Sequence, residues 1–304
     1  MGMFDVTNKP DTLRIAVAQA TVNVSPETIR LIREGKSPKG DIVESARIAA
    51  TIAAKKTSDL IPYCHPIPID YIHIDVTLKD ASIEVQAEVK TIWKTGVEME
   101  ALTAVSIAAL TVYDMLKPID KTLSIESVAL LRKAGGIKGF KEKYDRPLKA
   151  AVLVISDSVS MGKREDKSGK LAVEALQNYS LSVNSYEIIP DDAERIEIKL
   201  KQLCDDLKLD LVVTCGGTGL GPRDVTTEAT LRVVDRETCG ISEVLRAYGQ
   251  RRTPTAMLSR GVSGVRGHTV IVNLPGSPQA VLEGLAVLFP GLLHIYGMLD
   301  GHGH

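Results

Sequence analysis

A chain of 304 residues is long for a single core and sufficient for two domains of about 150 residues each. Its 44% apolar and 25% charged composition is that of a soluble globular protein, while a net charge of −1 and only 4% aromatic residues argue against a nucleic-acid partner. The four cysteines (Cys64, Cys204, Cys215, Cys239) form no CxxC pair, which argues against a zinc ribbon or a disulfide framework, and no run of about 18 uninterrupted apolar residues offers a membrane span. The opening MGMFDVTNKP lacks the basic-then-apolar layout of a secretion signal, so a cytoplasmic location and no membrane association are expected.

In chain order, Asp41-Ile-Val-Glu44 fits a capping box, and an apolar-periodic helix follows to about Ser58. The segment DLIPYCHPIPID carries Pro62, Pro66 and Pro68 around Cys64-His65, which predicts a stiff extended loop presenting an imidazole. Taken alone, His65 reads as a structural hydrogen-bonding residue before a ligand, and Cys64 as a buried thiol. Tyr71 to Leu78 and Ile83 to Val89 alternate apolar with polar residues and predict half-buried neighbouring strands. A long apolar helix runs from Val97 to Leu116 and is stopped by Pro118. Sheet plus helices is the α+β expectation. Asp114 and Lys117 share one face near the helix end. They form either an exposed ion pair or a tuned one, in which burial lowers the lysine toward neutrality for acid–base work. Glu98 and Glu100 open the helix, where acids also complement its dipole.

The stretch GGIKGFKEKYDRPLKA, rich in Gly and Lys, separates the halves and places a boundary near residue 146. Beyond it, strands at Ala150–155, Ser182–189, Leu209–214 and Thr269–273 alternate with helices at 167–177 and 194–207. The nearly unbroken apolar runs AAVLVI and LDLVV suit a parallel sheet buried on both faces, hence a three-layer α/β domain. Cys215-GGTGLGPR-Asp224 follows a strand, and its four glycines let backbone N–H groups approach a phosphate. It is neither a Walker A loop, lacking Lys-Ser/Thr, nor a Rossmann GxGxxG. A second anion site is expected at NLPGSP, where Ser277 and Pro278 suit the N-cap and first turn of a helix; capping alone explains the same residues. Asp191 in IIPDD and Asp224 are two strand-end carboxylates that suit Mg2+, although turn formation is the commoner use of such acids.

DVTNKPDTLRIAVA, KGDIVESARIAATIAAKKTSDLIPYCHP, KTGVEMEALTAVSIAALTVYDMLK and LLRKAGG resemble the cyclic pyranopterin monophosphate synthase (MoaC) family over about residues 3 to 141. The resemblance implies a ferredoxin-like α+β fold and conversion of 3′,8-cyclo-7,8-dihydroguanosine 5′-triphosphate into cyclic pyranopterin monophosphate and pyrophosphate. It places the catalytic pair on Asp114 and Lys117, and substrate binding on Arg14, Lys39, Cys64, His65, Glu98 and Glu100. The closing glycines are followed by Ile137 where many relatives carry lysine, and Lys138, one place later, stands in. No cofactor is implied for this half.

VLVISDSVS, EDKSG, IIPDD, TCGGTGLGPRDVTTEAT, PTAMLSR and NLPGSPQAV resemble the MoaB/MogA family of molybdopterin-binding proteins over about residues 148 to 298. This implies adenylylation of molybdopterin by ATP with Mg2+. The functional aspartates fall on Asp191 and Asp224, both also the expected metal ligands. The phosphate loops fall on Gly216, Gly217, Thr218, Gly219 and on Pro275, Gly276, Ser277. Asp157, Asp166, Ser168 and Gly169 lie in motifs expected near the nucleotide. Domains of residues 1–146 and 147–304 are therefore expected, acting on phosphorylated pterins in a homo-oligomer, a trimer or hexamer. The alternative is a synthase whose second half only binds molybdopterin or organises the oligomer.

Overall fold

The computed structural model describes residues 2–137, 144 and 146–301, and the chain forms two compact units, Met1–Gly139 and Phe140–His304. The first runs β1 (Thr12–Asn23), α1 (Pro26–Arg33), α2 (Ile42–Lys55), α3 (Thr57–Leu60), β2 (Tyr71–Leu78), β3 (Ser82–Trp93), α4 (Glu98–Leu116) and β4 (Ser124–Gly135). Its strands are all antiparallel in the order β2-β3-β1-β4, the ferredoxin-like arrangement. Alternation decides which face is covered: Ala16, Ala18, Ala20 and Val22 of β1 and Ile83, Val85, Ala87 and Val89 of β3 are buried. Ala46, Ala50 and Ala54 of α2 and Ala104, Ala108 and Val112 of α4 join the same core. The small side chains let the helices approach each other and the sheet closely.

α4 is long and apolar enough, by length and composition, to cross a membrane. Its buried stripe, from Ala101 to Leu116, is instead the main helical contribution to this core. Half of the expected capping box forms: Asp41 Oδ1 accepts the Glu44 N–H at 3.0 Å, but the Glu44 carboxylate turns outward to Arg47 at 3.5 Å. An exposed glutamate gains as much from a cation one turn on. The helix ends at Lys55, three residues before the expected stop, and α3 is a separate turn.

Asp120, just past α4, is buried and ties the loop to α1. It accepts hydrogen bonds from Ser25 N–H (2.7 Å), Thr28 Oγ1 (2.8 Å), Thr122 N–H (2.8 Å) and Thr122 Oγ1 (2.7 Å). Burial alone would raise its carboxyl, but these four donors outweigh it and hold the group far below the usual carboxylate range. A carboxyl lowered on folding stabilises above its unfolded value of about 3.9 and loses that contribution as pH falls below it. Asp120→Asn is therefore expected to lower stability of the first unit by about 2 kcal/mol at pH 7. The gap between the two proteins' urea melts should hold constant above about pH 5 and narrow steadily once pH falls below about 3.9, toward the lowered folded value; a gap unchanged below about pH 3.9 would contradict the assignment.

The second unit runs β5 (Lys149–Ile155), α5 (Asp157–Ser160), α6 (Ser168–Asn178), β6 (Ser182–Ile189), α7 (Ala193–Lys201), β7 (Leu211–Cys215), α8 (Thr226–Leu231), β8 (Arg236–Glu237), α9 (Cys239–Gln250), β9 (Ser263–Arg266), β10 (Thr269–Leu274), α10 (Pro278–Leu288) and α11 (Ile295–Leu299). The six-stranded sheet has the order β6-β5-β7-β10-β9-β8, parallel through β10 and antiparallel at the β9 and β8 edge. Ala150, Val152 and Val154 face one core with Ala172, Leu176, Val281 and Leu285, while Ala151, Leu153 and Ile155 face the other with Ile196, Leu200 and Ala229. Three layers result, as the apolar runs imply. The helix expected over 194–207 is α7 continued by a π-helical turn at Gln202–Asp206. Tyr144 and Arg146 are already tied to this unit: the Tyr144 hydroxyl donates to Leu293 O, and Arg146 forks onto buried Asp210 at 2.7 and 2.6 Å.

Candidate functional site

In the first unit the expected residues fall into two groups at opposite ends of α4. At its start, the Arg14 guanidinium is held by Trp93 O (3.3 Å) and Lys94 O (3.1 Å). The closing glycines make room for it. Gly136 has φ +77, and a Cβ there would stand 2.1 Å from Arg14 Nη1. Glu100 is 3% exposed, and one of its carboxylate oxygens, Oε2, has no hydrogen-bond partner among the described residues. Burial pushes its carboxyl up to about 7, opposed by its own backbone N–H and aided by the charge of Glu98. Glu100 is thus poised to give or take a proton near neutrality. Burial, and secondly the charge of Glu100, raise the Cys64 thiol, so it is not an activated nucleophile. His65 Nε2–H donates to Phe4 O at 2.8 Å, a structural use of the imidazole.

At the other end, about 21 Å along the helix from Glu100, Asp114 sits between two lysines. Lys117 Nζ is 2.7 Å from Asp114 Oδ1, and Lys39 Nζ donates to Asp114 Oδ2 (2.7 Å) and Asp114 O (2.8 Å). The hydrogen bond from Lys117, then that from Lys39, lowers Asp114 to about 2. Lys117 moves upward, chiefly through its hydrogen bond to Asp114. The tuned reading of Lys117, with a value drawn toward neutrality by burial, is therefore overturned. The ammonium is exposed and carboxylate-paired, and it stays charged. Lys138 lies outside the described residues.

In the second unit the expected residues largely converge on one cavity. Strand order reverses direction of growth at β5 and β7, the switch point where doubly wound sheets bind ligands beyond their strand ends. A cavity of about 410 Å³ opens there, lined among others by Asp191, Gly216 to Gly219, Asp224, Gly276 and Ser277. Gly216 (φ +116) and Gly217 (φ +65) need the left-handed region, and a Cβ on Gly276 would lie 3.4 Å from Gly216 Cα, so the two glycine loops touch. The N–H groups of Gly217, Thr218, Gly219 and Leu220 have no hydrogen-bond partner among the described residues. A run of free amides is an anion cradle. Ser277 caps α10, its Oγ accepting from Ala280 N–H at 3.3 Å, with Pro278 in the first turn.

Asp157 and Asp191 brace each other: Asp157 N–H donates to Asp191 Oδ2 (2.7 Å) and Asp191 N–H to Asp157 Oδ1 (3.1 Å). Arg223 forks onto Asp157 at 3.0 Å for both bonds and lowers its carboxyl. Asp191 moves the other way, through burial first; the Asp157 N–H opposes this, and the charges of Asp157 and Asp224 reinforce it. Asp224 Oδ2 accepts Gly221 N–H at 2.8 Å. Asp166 is a helix anchor, accepting from Ser168 Oγ (3.0 Å), Gly169 N–H (3.0 Å), Lys170 N–H (3.2 Å) and the Tyr186 hydroxyl (2.6 Å). Gly169 permits close packing, since a Cβ would meet Val154 Cγ2 at 2.3 Å. Pro275 lines a second cavity of about 200 Å³ with Arg246, Tyr248 and Asn273, which shares Ser277 with the first. The sequence patterns did not single out Arg164 and Lys167, cations that line the first cavity, nor Arg246 and Tyr248 in the second.

A switch-point cavity with a glycine cradle and two strand-end carboxylates defines a phosphate-ester-binding α/β domain, carried here beside a ferredoxin-like α+β domain. Residues 3–136 match the MoaC family, and residues 151–294 match the family described as "Probable molybdopterin binding domain". The chain is 43% identical over 302 residues to the molybdenum cofactor biosynthesis bifunctional protein of Chlorobaculum tepidum, covering 99% of this chain and 96% of that one. The protein of the same description from Synechococcus elongatus is 37% identical, with 99% and 98% covered. The cyclic pyranopterin monophosphate synthase of Thermomicrobium roseum is 50% identical over 145 residues, 47% of this chain and 87% of that one. The chain belongs to the bifunctional proteins of molybdenum cofactor biosynthesis.

Proposed function

We propose that the first unit converts 3′,8-cyclo-7,8-dihydroguanosine 5′-triphosphate into cyclic pyranopterin monophosphate and pyrophosphate. We propose that the second transfers the adenylyl group of ATP to the phosphate of molybdopterin, in the cytoplasm. The observation that carries the second reading is the run of amides without a partner from Gly217 to Leu220, of which Gly217, Thr218 and Gly219 belong to residues lining the cavity of Asp191 and Asp224. A phosphate oxygen of the pterin would attack the α-phosphorus of ATP, and the bond to the β-phosphate would break to release pyrophosphate. Arg164 and Lys167 supply positive charge beside that cavity. The adjoining, smaller cavity is lined by Arg246 and by Tyr248, whose ring carries the Arg252 guanidinium 3.5 Å over its centroid.

Asp191 and Asp224 would hold Mg2+. The described residues contain no group of three or more His, Cys, Asp or Glu side chains able to hold a metal. The fit is to an ion that takes one or two carboxylates and completes its shell with water and substrate phosphates. When bound it neutralises phosphate charge. The test is the full chain incubated with ATP, Mg2+ and molybdopterin. Adenylylated pterin and pyrophosphate are expected, and their absence leaves a domain that only binds the pterin.

For the first reaction, Lys117 and Lys39 supply cations for the triphosphate, and Arg14 and Glu100 supply a fixed cation and a proton-exchanging carboxyl. These two groups are too far apart to meet on one substrate within one chain. A site using both is completed by a second copy, so we propose a homo-oligomer, a trimer or hexamer. Light scattering should give a multiple of the 32.8 kDa chain mass; a monomeric mass would remove this reading.

A further inference from the structure

We propose that Arg260, which lines neither cavity, is the positioning residue that sets the glycine loop in its ligand-ready form. This deepens the adenylyl-transfer reading and rests on it for its catalytic consequence. Arg260 N–H donates to Thr218 O at 2.9 Å, its Nε donates to Gly219 O at 2.6 Å, and one Nη donates to Asp224 O at 2.6 Å. Its other Nη donates to the Glu228 carboxylate on α8, which fixes the guanidinium from behind. A single residue therefore captures three carbonyls spread across the loop that carries the free amides.

The consequence follows from peptide geometry. In a planar trans peptide the C=O and the following N–H point in opposite directions. Holding Thr218 O and Gly219 O toward Arg260 turns the N–H groups of Gly219 and Leu220 away from it. Those are two of the four amides without a partner. Holding Asp224 O fixes the backbone on which the Asp224 carboxylate rides. Gly261, next in sequence, would bring a Cβ to within 3.0 Å of Asn273 O and 3.5 Å of Thr218 Cγ2, so the segment bearing Arg260 is seated against the strand ends as well. The guanidinium is suited to this task because its donors form a rigid planar fork, which a lysine ammonium lacks.

Hydrogen exchange on the full chain tests this without any substrate. In Arg260→Ala, the amides of Gly221, Asp224 and Thr226, which are hydrogen-bonded within the loop, are expected to exchange at least about tenfold faster, a loss of about 1.4 kcal/mol of local protection. Exchange in β7 and β10 should be unchanged, and millimolar ethylguanidinium should restore the loop. Loop exchange equal to that of the unaltered protein would overturn the proposal. If sheet protection falls too, Arg260→Lys carries the same comparison. It retains the charge and the aliphatic stem, and faster loop exchange supports the fork while unchanged exchange overturns it. Where adenylylation is measurable, kcat/KM should fall about 100-fold in Arg260→Ala. Because exchange needs no turnover, an inactive second unit would refute the adenylyl-transfer reading and leave the positioning claim to be judged separately.

Discussion

Lys117→Ala is expected to abolish cyclic pyranopterin monophosphate formation, lowering the rate by about 100- to 10,000-fold, with the fold intact. The pair it breaks is exposed, and such pairs contribute little to stability. Its effect should therefore be confined to chemistry. The hydrogen bond and charge of Asp114 raise Lys117, so on the proposed mechanism the side chain would act as a cation and proton donor rather than as a base. Lys117→Arg separates those two roles. It preserves the charge but gives up no proton, so recovery of most of the rate would assign Lys117 to holding the triphosphate, and continued inactivity would assign it to proton transfer. Wild-type rates in Lys117→Ala would remove the residue from the mechanism. Because the lysine is raised rather than lowered, the alkaline limb due to its deprotonation should lie above about 10.4. A limb near neutrality should belong to Glu100, at about 7.

Gly217→Ala is expected to cost adenylylation at least about 100-fold. The left-handed backbone at φ +65 adds about 1–2 kcal/mol for any side chain. The larger effect is steric: the new Cβ would stand 2.0 Å from Thr226 Oγ1 and 3.1 Å from Thr226 Cβ. Thr226 is fully buried and cannot yield, so the loop itself must move. Asp191 Oδ1 is 3.3 Å from the same point, which puts the displacement beside a functional carboxylate. Gly162→Ala is the control, with φ +71 but nothing within 4 Å of its Cβ. It should show the backbone penalty in melting temperature and keep its activity. Equal activity losses in the two variants would point to general loosening instead of a displaced cradle.

Strand and helix periods were legible wherever apolar residues marked them. Tyr71–Leu78 and Ser182–Ile189 coincide with the expected strands, and the other strands expected in the second half differ by two residues or fewer at each end. β1 escaped notice because its buried face is mostly alanine, which has little strand preference and little apolar weight. β4 escaped because it is exposed along its whole length and pairs only with β1, so no burial alternation is imposed on it. In the second unit, glycine spacing and strand-end acids located the cavity, since loop chemistry is local in sequence. That Asp166 anchors α6 as well as lining the cavity was not legible: an acid two residues before a serine looks the same whether or not it holds a helix start. Arg260 ends the segment PTAMLSR, but its contacts are with three carbonyls at positions 218, 219 and 224 that no spacing rule connects to it. The sequence leaves Lys117 open between an exposed ion pair and a lysine tuned by burial, because burial, which separates the two, is a tertiary property.

The contact between the Gly216 and Gly276 loops has a temporal consequence. The two loops that line this cavity lie at Gly216 and Gly276, far apart in the chain, and the second of them leads into α10, the last long helix among the described residues. During synthesis the first unit and most of the second emerge before the far wall exists. A nascent or truncated chain ending before Pro275 would hold the GGTG segment without the loop that touches it. Any ligand that needs both loops would then meet a complete site only on chains synthesised past that point.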